Sequence, residues 1–148
     1  MKKRIVLCPV DYSLSMEPAI HLAADLAQAH ESKVVLLHVV DPNENAISTV
    51  ESQNNQFQER MRDQFLVQHD VEFEHVTRHG NPADTIIKFA NQHPADFIVM
   101  GTHGRTGLAR VVVGSVAQKV MARAKCPVVT VKLPSLPKGK LLRQSVRH

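Results

Sequence analysis

Fifteen residues, GTHGRTGLARVVVGS from Gly101 to Ser115, hold four of the chain's six glycines. They follow an apolar run, FIVM, and precede a helical pattern, VAQKVMARA. Glycine admits positive φ and lets a ligand approach the backbone with no side chain between them. A loop built this way turns its N–H groups toward one point, and such a nest binds anions. A helix starting near Ser115 adds unpaired N–H groups and the positive end of its dipole. Thr102, Thr106 and Ser115 bring hydroxyl donors, and Arg105 and Arg110 bring charge. These parts describe a phosphate cradle. The plainer reading of the same residues is a strand-to-helix turn with Ser115 as the helix cap. The stretch is not a Walker loop, since no Gly-Lys-Ser/Thr occurs. Nor is it the dinucleotide fingerprint, Gly-x-Gly-x-x-Gly after an early strand.

Other residues capable of chemistry offer less. His75 and His79 lie four apart on or near a strand, which separates them by roughly 13 Å. His21 and His30 fall on different faces of one helix. No pair has ligand spacing, so the sequence leaves any metal site unknown. His38 sits inside an apolar run and reads as a buried residue with a local hydrogen bond; His103 lies within the cradle. Cys8 and Cys126 each precede a proline at a strand-like position. They lack zinc or redox spacing and read as small core residues.

The elements that would position the cradle alternate. Arg4 to Val10 is a continuous apolar strand, as expected when both sheet faces are covered. Asp11-Tyr12-Ser13 turns, and Ser15 caps a helix from about Met16 to His30, with Ile20, Ala23, Ala24 and Ala27 on its buried face. Lys33 to Val40 is a second buried strand, broken by Asp41-Pro42-Asn43. Residues 43 to 56 are polar and poorly patterned, a loop. Phe57, Met61 and Phe65 suggest a second helix ending near His69. Val71, Phe73, His75 and Thr77 suit a half-exposed edge strand. Gly80 turns the chain, Asn81 caps a third helix with Pro82 at its first position, and Pro94 stops it. Its stripe is Ala83, Ile86, Ile87 and Ala90. Ala95 to Met100 is the fourth strand. Beyond the glycines a fourth helix points Ala117, Val120, Met121 and Ala124 inward, and Pro127 to Lys132 is the fifth strand. Strand and helix in alternation imply a parallel sheet with helices on both faces. In such folds ligands bind at the carboxyl ends of the strands, where the strand order reverses.

Bulk properties narrow the function classes. The chain of 148 residues suffices for one domain with a sizeable core. No apolar run approaches the roughly 18 residues of a membrane span. The start, MKKRIVLCPVD, reads as a strand rather than a signal peptide, which points to the cytoplasm. The net charge of +4 is concentrated at the end. Residues 134–148 hold Lys138, Lys140, Arg143 and Arg147 and no acid; without those four, 14 basic residues face 14 acidic ones. A neutral body argues against a nucleic-acid surface. The basic tail reads as a flexible, solvated end, or as a contact for an anionic partner.

The spacing carries a resemblance. Gly101-x-x-Gly104, nine residues, then Gly114-Ser115 resembles the nucleotide-binding signature of the universal stress protein family. IVLCPVDYS, LLHVVDP, RHGNPADTIIKFA, ADFIVMGTHGR and CPVVTVK are similar to that family's other segments, over about residues 3 to 132. The resemblance implies one three-layer α/β/α domain over residues 1–133. Its sheet would be five-stranded and parallel, in the order 3-2-1-4-5, of the Rossmann-like, adenine nucleotide alpha hydrolase-like type. It implies ATP as the ligand, held with Mg²⁺, as in the ATP-binding branch. The adenine end would meet Pro9, Asp11 and the backbone of Val39. Met100, Gly101, Thr102, His103, Gly104, Arg105 and Thr106 would line ribose and phosphates. Gly114, Ser115 and Val116 would hold the phosphates. For Asp11 two roles stand side by side: a turn residue bonded to Ser13, or a contact to ribose or to phosphate-bound Mg²⁺ through water. A homodimer through the last strand (Val128, Val129, Thr130, Val131) is also implied.

The expected function is that of an ATP-binding regulatory protein whose nucleotide-dependent conformation is read by a partner protein not identified by sequence. The alternatives are a slow ATPase or phosphotransferase, and a dimeric interaction module that needs no nucleotide. No residue is assigned a catalytic role.

Overall fold

The computed structural model describes residues 4–11, 16–43, 55–56, 59–60, 69–102 and 114–132. Five strands are formed: β1 (Ile5–Pro9), β2 (Lys33–Val40), β3 (Phe73–His79), β4 (Ala95–Gly101) and β5 (Val128–Val131). The helices with full bounds are α1 (Glu17–Ala29), α2 (Pro82–Gln92) and α3 (Ser115–Arg123). All strand pairs are parallel, and the sheet order is β3-β2-β1-β4-β5. Successive side chains alternate between faces, so each strand feeds two cores. Val6 and Cys8 of β1, Val34 and Leu36 of β2, and Val99 of β4 pack with Ile20, Ala23 and Ala27 of α1. Ile5, Leu7, Val35, Leu37, Ile98 and Met100 pack on the other face with Ile86 and Phe89 of α2 and with Ala117 and Val120 of α3. Both faces being covered explains why β1 and β2 read as unbroken apolar runs. Cys8 is fully buried, and burial pushes its thiol up to about 12.

Local signals set the turns. Gly80 has φ 146°, and a Cβ there would lie 2.8 Å from Thr85 Oγ1. Its N–H donates to Val40 O at 3.0 Å, tying the end of β3 to the end of β2. Asn81 Oδ1 accepts from Asp84 N at 3.1 Å, and Pro82 occupies the first turn, as its fixed φ favours. α2 ends at Gln92, two residues before Pro94.

Some sequence expectations change. The residue before α1 is Met16, whose side chain makes no capping bond; Ser15 lies outside the described residues. Met121, expected inward, is 42% exposed. Helical rotation of about 100° per residue puts Ala117 and Val120 near the stripe's centre and carries Met121 past its edge. Ala124 is only half-buried, and Phe89 joins the α2 stripe beside a half-buried Ala90. Of the helix expected from Phe57 to near His69, Glu59 and Arg60 are described and helical, whereas Phe57, Met61 and Phe65 are not described; Asn55 and Gln56, expected in the preceding loop, are helical instead. The loop at 43–56 and the tail from 134 also fall almost wholly outside the described residues.

One tertiary contact joins α1 to the chain just before β3. His21 Nδ1 lies 3.1 Å from His69 Nε2, and His69 Nδ1 lies 3.7 Å from Asp25 Oδ1. One of the two facing nitrogens must accept, so the contact needs at least one neutral ring. Burial lowers the His21 pKa from its ordinary 6.5, with the His69 charge adding to the effect and Glu17 and Asp25 opposing it. A depressed folded pKa gives stability that is complete above the unfolded value and is lost as pH falls through the folded one. The midpoint of denaturant unfolding should therefore drop between pH 7.5 and pH 5.5, and drop less for His21→Gln. An equal drop in both proteins would exclude His21 as the source.

Candidate functional site

The strand order reverses between β1 and β4, so the carboxyl ends of these neighbours flank a crevice where their connections run in opposite directions. At this end lie residues from four segments: Pro9 at the end of β1 with Val10 and Asp11 after it, Val39 on β2, Gly101 at the end of β4 with Thr102 after it, and Gly114, Ser115 and Val116 at the start of α3. His103, Gly104, Arg105 and Thr106 lie outside the described residues. Met100 has its side chain in the core with α2 and α3, so only its backbone can face a ligand.

The two ends of the glycine segment are fixed. Thr102 N–H donates to Val131 O at 3.0 Å, which extends the β4–β5 ladder by one residue. Thr102 O accepts from Gly114 N–H at 2.7 Å. The chain thus leaves the sheet at Thr102 and is back at the same point at Gly114. Gly114 has φ −58°, open to any residue, so closeness and not backbone sign is what favours glycine there. A Cβ there would lie 3.2 Å from Thr102 O, tighter than ordinary packing.

At this junction sits a buried polar atom without a partner. Thr102 Oγ1 is excluded from solvent and makes no hydrogen bond among the described residues. An unsatisfied buried hydroxyl costs about 1–3 kcal/mol, so such groups are few in native proteins. Beside it, α3 begins with no side-chain cap on Gly114. Ser115 is exposed, and the first N–H groups of any helix have no partner within it. A hydroxyl and a set of backbone donors therefore meet where the dipole is positive.

On the opposite wall the β1–β2 pairing ends at Pro9↔Leu37, with Val10 N–H still donating to Leu37 O at 2.9 Å. Polar groups along a strand alternate sides. Leu37 faces β1, so Val39 turns its N–H and C=O the same way, past the point where β1 has departed. Val40 faces β3 and accepts from Gly80 N–H there. Val39 thus offers a donor and an acceptor side by side at the crevice. Asp11 follows Val10, half-buried.

Beneath this wall His38 is 5% exposed, and its Nδ1 lies 3.2 Å from Val10 O. A carbonyl only accepts, so Nδ1 carries the proton. His75 lies on the same face in the adjacent strand, and burial, with His38 nearby, lowers its pKa. The sequence read His38 as locally hydrogen-bonded but gave no sign of its partner. Among the described residues no group of three His, Cys, Asp or Glu is arranged to hold a metal ion, and no helix is long and apolar enough to cross a membrane.

Comparison with known proteins bears on this arrangement. The sequence pattern of the universal stress protein family matches residues 3–132, from before β1 to just beyond β5. The chain belongs to the universal stress protein family. A universal stress protein of Methanocaldococcus jannaschii is 36% identical over 143 residues, covering 89% of this chain and 83% of the relative. Universal stress protein UspA from Lactobacillus plantarum shares the fold with a TM-score of 0.73 at 28% identity, over 89% of this chain and 99% of that one. The universal stress protein from Archaeoglobus fulgidus, solved in complex with dAMP, has a TM-score of 0.70 at 22% identity, over 88% and 98% of the two chains. The family's Rossmann-like α/β architecture, with strand order 3-2-1-4-5, is the one found here.

Replacing the orphan hydroxyl by a methyl group removes the unsatisfied polar atom without changing shape. Thr102→Val should leave the ligand-free protein as stable as before, or more stable by about 1 kcal/mol. Chemical denaturation without nucleotide measures this. A loss of stability greater than about 1 kcal/mol would mean that the hydroxyl already has a partner.

Proposed function

We propose that the chain binds ATP in the crevice between β1, β2, β4 and α3, and that a partner protein reads its occupied or empty state. The observation that carries this reading is the buried, unpartnered Thr102 hydroxyl beside the uncapped start of α3. A phosphate oxygen placed there would accept from the hydroxyl and from the backbone N–H groups of Ser115 and Val116, beside Gly114, whose own N–H is held by Thr102 O. The dAMP complex of the Archaeoglobus fulgidus neighbour supports an adenine nucleotide as the class of ligand.

The opposite wall supports the base. Val39 N–H and C=O are a donor and an acceptor on one edge, which suits adenine N1 and its amino group. Guanine carries O6 and N1–H in those places and would set acceptor against acceptor and donor against donor. In this reading Pro9 packs against the base and Asp11 meets the ribose. Met100 and Gly101 would contribute backbone, and His103, Gly104, Arg105 and Thr106, which lie outside the described residues, are assigned to ribose and phosphates by the family resemblance alone. A triphosphate needs a cation to relieve its charge, and Mg²⁺ keeps most of its water, so Asp11 would reach it through water. The residues present fit the nucleotide; the cation supplies charge neutralisation only.

Nucleotide matters to a partner only through its difference in affinity between two states. Thr102 and Gly114, bonded to each other at the edge of the site, are the described positions where occupancy would act. A cytoplasmic setting and a homodimer through β5 belong to the same proposal. β5 is an edge strand whose Val128, Val129 and Val131 are only half-buried in the single chain, which supports the pairing.

Titration calorimetry tests the ligand. One ATP per chain should bind in the presence of Mg²⁺, and Thr102→Val should weaken it about tenfold, the worth of one hydrogen bond to a charged group. Unchanged affinity in Thr102→Val would remove the phosphate role of the hydroxyl. Arg105→Ala should weaken ATP more than AMP; equal losses would place Arg105 away from the outer phosphates.

A further inference from the structure

We infer that His38 is a positioning residue that keeps the Val39 edge of β2 open, by taking the Val10 carbonyl out of the sheet. The inference rests on the proposed nucleotide site and deepens it. The β1–β2 ladder runs regularly: Lys33 N–H donates to Arg4 O at 3.0 Å, and the pairing continues through Pro9↔Leu37. Two residues along β2 correspond to two along β1. Continued in this register, the ladder would send Val39 N–H to Val10 O and make Val10↔His38 the next pair. That pair does not form. Val10 O instead has the His38 ring Nδ1–H at 3.2 Å.

The substitution of donors has a structural cost and a consequence. Val10 O is at the end of a buried strand, where a carbonyl without a donor is costly. His38 satisfies it from the side chain, so β1 can turn away at Asp11 while Val39 N–H stays unclaimed by β1. The ring is held in place by its own burial on the α1 face of the sheet, below the crevice. His38 touches no ligand in this account. It decides whether the backbone donor above it points at the base or back into the sheet.

Two variants separate these outcomes. His38→Asn places an amide N–H where Nδ1–H stands and keeps the donor to Val10 O. His38→Leu removes it, leaving Val39 N–H as the nearest replacement. His38→Gln, whose amide reaches past that position, repeats the comparison should the leucine variant not fold. Amide hydrogen exchange at Val39 is read by NMR in the ligand-free full chain, alongside ATP affinity. In wild type and His38→Asn the Val39 N–H should exchange readily. In His38→Leu it should be protected by about tenfold or more, and ATP affinity should fall by about tenfold, with Asn restoring it. Equal Val39 exchange in all folded variants would overturn the inference, as would failure of Asn to restore binding. A wild type that binds no ATP would instead defeat the nucleotide reading, and the exchange comparison would still decide what His38 does to the ladder.

Discussion

The 2.7 Å hydrogen bond from Gly114 N–H to Thr102 O fixes where the rest of the site can lie. Thr102 is itself locked to β5 through Val131 O, so the start of α3 is anchored to the sheet rather than floating above it. The closeness of that junction disfavours a side chain at Gly114. It also places the first free N–H groups of α3 beside the buried Thr102 hydroxyl. Packing of Ala117 and Val120 against the sheet then sets the helix direction, and the Arg123–Asp84 pair at 2.6 Å joins α3 to α2 at the surface. Such an exposed pair adds little stability. The apolar contacts hold the helix, and the helix holds the end proposed to meet phosphate.

The same economy appears across the crevice. A parallel sheet satisfies its backbone by regular pairing, and any strand that leaves the ladder strands polar groups on its neighbour. Here β1 leaves first and β2 runs on, so Val39 presents a donor and an acceptor where the strand order reverses. His38 takes over the one carbonyl, Val10 O, that would otherwise draw β1 back. The two walls of the proposed site therefore arise from one topological feature: a backbone edge on β2, and a hydroxyl with helix amides at the start of α3.

Much of this was legible in the sequence. β2 spans the KVVLLHVV run residue for residue, because a strand buried on both faces must be apolar throughout. The start of α2 was equally plain, since Asn81 and Pro82 act locally. Contacts between distant residues were not legible. His21 and His69 are 48 residues apart and meet only because α1 covers the same face as the chain entering β3. Met121 sits on the margin of its helical stripe, where periodicity alone cannot tell inside from outside. The glycine and serine spacing pointed to the anion site proposed here. That Thr102 carries an unpartnered hydroxyl, and that Gly114 is favoured by closeness, depend on where the sheet returns the chain.

The central claim is that Thr102, the start of α3 and the Val39 edge form one nucleotide site. The most direct measurement is amide NMR of the full chain titrated with ATP in excess Mg²⁺. Saturable shifts are expected at Val39 and at Gly114, Ser115 and Val116, with a single dissociation constant and one nucleotide per chain. Shifts confined to other residues, or none up to millimolar ATP, would contradict it.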